Sequence, residues 1–270
     1  MAELGVETAY ILCSQLAAVW VLISAGEGFA TIREVRKGGT YDARIVVPTA
    51  AGAALSRLDG VTTGTSAYVL SLAMRSVGGG LLLIYPTLGT ITVGWCFVAS
   101  ATLYARWRRG FGDDGSDQML TIMSVTFALA LLLRGGDGVL EAGLLFIGAQ
   151  ACLAYTAAGV AKLVSPVWRG GHAIPGVVAT RTYGLRPLST LVRSIPGLAL
   201  ILCWGTIAFE SSFVLAPFLP SVLLLGLLAT AAAFHVGTAL VMGLNGFLWA
   251  FVATYPAIVF LNQTVTGILG

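Results

Sequence analysis

The chain has 270 residues, of which 57% are hydrophobic and 10% charged, with a net charge of +3 and a mean hydropathy of +0.90. Soluble domains carry about 25% charged residues, so this composition excludes a globular fold dissolved in water. The small basic excess is accounted for by loop charges and calls for no nucleic-acid partner.

In lipid the backbone must satisfy its own hydrogen bonds, so apolar runs of about 20 residues read as helices. The alternating segments of about 10 residues that mark a membrane β-barrel do not occur. The sequence therefore reads as an all-α, polytopic transmembrane helix bundle with about eight spans. Residues 1–270 form a single integral-membrane helical domain in the cell membrane, with the lipid bilayer as its partner.

The spans expected in chain order are Thr8–Ala30, Ser66–Pro86, Leu88–Ala105, Gln118–Arg134, Gly138–Val164, Gly197–Ala216, Pro220–Gly243 and Gly246–Thr266. The start, MAELGVETAY, has no basic n-region, so the first span is expected to be retained rather than cleaved. Cys13, Cys96, Cys152 and Cys203 lie far apart in apolar runs, as buried small hydrophobes do. Gly78-Gly79-Gly80 suits close helix packing or a bend rather than a phosphate loop. No internal repeat, inverted repeat or broken helix is evident.

Two long connections, 31–65 and 165–196, are basic. Arg33, Arg36, Lys37, Arg44 and Arg57 occupy the first; Arg169, Arg181, Arg186 and Arg193 occupy the second, with Lys162 at its flank. Arg106, Arg108 and Arg109 are expected in the connection between the third and fourth spans. Eight spans put all three regions on one side, which the charge rule assigns to the cytoplasm, with both termini outside.

Ionisable residues inside spans are costly and usually face a bundle interior or a wet cavity. Tyr155, Gly159 and Lys162 fall at i, i+4 and i+7, on one helix face. A lysine amine taken out of water can serve as a general base near neutral pH, whereas one at a helix end can equally snorkel to the interface. His235 suits a proton shuttle or a helix-to-helix hydrogen bond. Glu210 suits proton transfer or an ion pair with Arg75. Glu141 and Asp137 sit where carboxylates complement a helix N-terminus. Asp117 opens the fourth span, as an N-cap or as a reacting group. Two histidines are too few for a multi-histidine metal centre. No P-loop, G-x-S-x-G or H-E-x-x-H occurs, and a dinucleotide glycine pattern would lack its strands.

The stretch Tyr155–His172 carries a denser pattern: Ala158-Gly159-Val160-Ala161-Lys162-Leu163, then Trp168, then Gly170-Gly171. It resembles the transmembrane region of vitamin K-dependent γ-carboxylases and the HTTM proteins that share it. Phe209-Glu210 leading to Pro217, and His235 leading to Met242-Gly243, are similar to further passages of that family. The resemblance implies that Lys162 is the base that starts hydroquinone oxidation, and it implies a quinone or hydroquinone, which the residues alone do not name. The family carries a histidine at a helix start; the equivalent stretch here, Gly115-Ser116-Asp117, departs from that pattern in having none. The carboxylases' large soluble domain is not among these residues, so glutamate carboxylation is not expected of them alone.

The expectation is an integral-membrane enzyme or enzyme subunit in which Lys162 abstracts a proton from a quinol. The alternative substrate is a ribosomally made peptide, epimerised or undergoing elimination, with a partner protein supplying the peptide site. Asp117, His172 and His235 would relay protons, and Tyr155, Trp168, Glu210, Arg75 and Asn245 would contact substrate. The competing expectation is a non-catalytic membrane module: a transporter, an immunity protein or a scaffold.

Overall fold

A computed structural model describes residues 3–35, 39, 64–84, 86–109, 114–136 and 138–269. Among these, regular structure is entirely helical, and eight segments are long and apolar enough to cross a membrane. The protein is thus an all-α, multi-pass chain suited to a bilayer. Most of the 31–65 connection, including Arg36, Lys37, Arg44 and Arg57, lies outside the described residues, as does Asp137.

The helices group into two compact units, residues 6–143 and residues 1–5 with 144–270. In the first, α1 (Val6–Ala30), the one-turn α2 (Ile32–Val35), α3 (Thr65–Ile84), α4 (Leu88–Arg109) and α5 (Gly115–Leu132) pack in sequence. Lipid tails are as apolar as leucine, so close contact rather than water exclusion holds such helices together. The glycine run supplies that contact. A Cβ at Gly78 would stand 2.8 Å from the Gly94 carbonyl oxygen of α4, and one at Gly79 would stand 2.9 Å from Leu22 of α1. Trp95 and Phe127 fill the centre edge-to-face at 5.5 Å, and the Trp95 indole donates to Ser14 Oγ at 2.8 Å.

Two expectations change here. Arg106, Arg108 and Arg109 belong to the last turns of α4 rather than to a loop, because the helix continues four residues past Ala105. The N-cap of α5 is Asp114, whose side chain accepts from the backbone N–H groups of Ser116 and Asp117 at 2.9 Å each. Asp117 sits in the first turn, where its charge complements the helix dipole.

The second unit begins within α6 (Val139–Val164). The 165–196 connection is largely helical: α7 (Pro166–Arg169), α8 (Ala173–Val178) and α9 (Arg186–Ser194) precede α10 (Leu198–Ser211). Pro166 and Pro187 start their helices at positions where the missing N–H is not needed. Past Ser211 the sixth span tightens into a 3₁₀ helix, Ser212–Phe218. Pro217 donates no hydrogen bond, and Asn262 of the last span donates to the Ala216 and Leu219 carbonyls at 2.9 Å each. After α11 (Ser221–Met242), the eighth span is broken: α12 (Asn245–Val252) and α13 (Tyr255–Leu269) meet at Ala253–Thr254. Pro256 has no N–H for the carbonyl one turn back, so the helix restarts there.

Candidate functional site

A cavity of about 530 Å³ lies within the second unit, walled by α6, α10, α11 and α12 and covered by residues of α7, α8 and α9. Its lining is mostly aliphatic and aromatic. Lys162, Glu210, Tyr155 and His235 are the ionisable side chains on it.

Lys162 and Glu210 form one group. The Lys162 Nζ donates to Glu210 Oε2 at 2.6 Å, reaches the Ala158 carbonyl at 3.5 Å, and stands 5.2 Å above the Trp168 ring. The Glu210 side chain is 6% exposed and that of Lys162 20%, so both charges are largely withdrawn from solvent. Gly159 makes this pairing possible. A Cβ there would collide with the backbone of Ser211 and would lie 2.9 Å from the Glu210 carbonyl carbon. The bare glycine lets α10 cross α6 closely, one helical turn before Lys162. Glu210 is also the sole acidic residue after Glu141, and the crossing delivers it to Lys162.

Tyr155 and His235 form the other group, two turns back along α6. The Tyr155 hydroxyl and His235 Nε2 are 2.7 Å apart, and the Tyr255 hydroxyl is 3.5 Å further on. His235 Nδ1 is buried without a hydrogen-bond partner. Placing the ring proton on Nε2 leaves only a lone pair unpaired at Nδ1, which is cheaper than an unpaired N–H. Both rings are wedged among aromatics: Tyr155 stacks on Phe213 at 3.8 Å, and His235 stacks on Phe251 at 5.0 Å. Their rotamers are therefore fixed by packing.

The other residues singled out from the sequence lie elsewhere. Trp168 reaches the cavity through α7. His172 is exposed at the start of α8, and Asn245 is exposed at the start of α12, although its neighbour Leu244 is on the wall. Arg75 and Asp117 belong to the other unit. There Arg75 donates to Ser24 Oγ at 3.2 Å and points a second amine at Thr102 Oγ1, 3.5 Å away. The carboxylate partner of the site is thus Glu210 with Lys162, not with Arg75, because the Gly159 crossing sets that contact. Among the described residues no cluster of three or more His, Cys, Asp and Glu is placed to hold a metal. Tyr255, Phe213 and Phe251 were not foreseen; the Phe247/Phe251 pair at i, i+4 was the available signal for the aromatic wall.

The arrangement sets a buried Lys162–Glu210 ion pair and a hydrogen-bonded phenol–imidazole pair on the wall of one apolar chamber of the size that small-molecule ligands use. No family model, curated protein or solved structure matches this chain, and the site's own chemistry carries the functional argument.

Proposed function

We propose that this chain is an integral-membrane enzyme, or the catalytic subunit of one, that removes a proton from a small lipophilic substrate held in the cavity of the second unit. The observation that carries this reading is the Lys162–Glu210 pair on the wall of an otherwise apolar chamber, within two helical turns of Tyr155–His235. Passage of one proton across the 2.6 Å contact leaves a neutral amine and a carboxylic acid. The amine then takes the substrate proton, giving an ammonium beside the substrate anion. Tyr155 and His235 orient the substrate through the hydroxyl. A quinol fits this description, and the resemblance of Tyr155–His172 to the carboxylase transmembrane region supports it. A peptide brought by a partner protein is the second substrate class. It suits an apolar wall less well, because each buried amide would need a hydrogen-bond partner. The charge rule places the basic 165–196 segment on the cytoplasmic side and both termini outside.

Mass spectrometry of lipophiles and peptides retained by the purified protein tests the proposal. Three preparations are compared: wild type, Lys162→Ala, and Ala158→Phe, which fills the cavity. The expected result is a compound held by wild type and Lys162→Ala, lost from Ala158→Phe, and chemically altered only by wild type. Equal alteration by Lys162→Ala would remove Lys162 from the mechanism. A transport reading draws on the broken eighth span, since discontinuous helices often build transport sites. Substrate flux into proteoliposomes without chemical change would establish it instead.

A further inference from the structure

The 165–196 segment does more than connect two spans. From Ala142 to Phe209 the chain has no acidic residue, while Lys162, Arg169, Arg181, Arg186 and Arg193 fall within it. Glu210 is taken by Lys162. Arg169, Arg181 and Arg193 are exposed and make no ion pair among the described residues. The helix α9 within this segment is strongly amphipathic. Leu188 lines the cavity and Val192 is buried at 3% exposure, on one stripe. Leu185, Leu191 and Ile195 flank that stripe and are exposed at 44, 49 and 45%. Positions 186 and 193, seven apart, fall on the opposite stripe of the helix. A short helix with an apolar arc on one side and basic positions on the other belongs in the plane of a membrane interface.

We infer that α8 and α9, with the arginines around them, form an interfacial collar that docks on anionic phospholipid headgroups. The flanking leucines and Ile195 enter the acyl boundary, Arg181 and Arg193 meet phosphate, and the inner residues Ile174, Val178 and Leu188 close the chamber. Charge complementarity selects this occupant. Arg169, Arg181 and Arg193, exposed and without an ion pair among the described residues, repel one another on a neutral surface, and bidentate guanidinium–phosphate contacts relieve that repulsion. Each basic residue near an anionic surface contributes about a fivefold factor to its binding. The collar inference is independent of the proton chemistry proposed for Lys162.

The test is amide hydrogen exchange of the full chain in nanodiscs of phosphatidylcholine, with and without a minority of phosphatidylglycerol. Exchange over 173–194 is expected to slow at least about 25-fold when the anionic lipid is present, corresponding to two or more engaged arginines. High salt should reverse the effect, while exchange in α6 stays constant. Arg169, Arg181, Arg186 and Arg193 changed together to glutamine should abolish the difference, and the same four changed to lysine should keep much of it. Identical exchange in both lipid compositions would overturn the inference. So would equal slowing by inorganic phosphate in neutral discs, which would assign the arginines to a free anion. Should the glutamine variant fail to accumulate, the wild-type lipid comparison and the lysine variant still decide.

Discussion

Replacing Gly159 by alanine should push α6 and α10 apart and loosen the Lys162–Glu210 pair. The new Cβ would sit 2.9 Å from the Glu210 carbonyl carbon and 2.6 Å from Ser211 Oγ, whereas carbon atoms in contact rest at about 3.5 Å or more. The α10 backbone must therefore retreat by at least about 0.6 Å, which carries Glu210 away from an amine now 2.6 Å distant. Overpacking of this kind costs about 1–3 kcal/mol, and alanine returns about 1 kcal/mol of helix propensity. The net expectation is a loss of about 1 kcal/mol. Gly205→Ala is the matched control. It lies inside α10 with nothing within 4 Å of the added methyl, so it should gain up to about 1 kcal/mol. The two variants should thus separate by roughly 4–8 °C in melting temperature. Intrinsic tryptophan fluorescence during heating in detergent measures this. A Gly159→Ala protein melting at or above wild type, with Gly205→Ala raised as expected, would refute the claim that the close crossing positions Glu210.

The ion pair itself should behave cooperatively. Lys162→Met or Glu210→Leu alone leaves a largely buried charge without its partner and should cost about 3–5 kcal/mol, while the double variant should recover more than half of that. Additive losses in the melting measurements would mean that the two side chains do not depend on each other. At the start of α5, Asp114→Ala removes the observed cap and should destabilise by about 1 kcal/mol, more than Asp117→Ala, which leaves that cap in place. Thermal melts of the two variants check the order, and the reverse order would return the capping role to Asp117.

The class of this protein was legible in composition, because lipid demands internally hydrogen-bonded segments and the apolar runs have the required length. The span boundaries were legible for the same reason, to within a few residues for most helices. Lys162 and His235 stood out because a charged or titratable side chain in an apolar run conflicts with its surroundings. What they pair with was not legible. Glu210 stands 48 positions from Lys162 and His235 stands 80 from Tyr155, and no local periodicity relates such positions. The Gly159 crossing decides the first pair, and the aromatic packing of Phe213 and Phe251 fixes the second. The helices of the 165–196 segment were obscured as well: α7 and α8 are only four and six residues long, too short to show a period, and the nine-residue α9 lies within a stretch that reads as a loop. Sequence patterning thus specifies which segments enter the bilayer, since that depends on each segment's own transfer energy. Only the packed structure joins the polar groups of distant helices into one chamber, since that depends on how closely two backbones can approach.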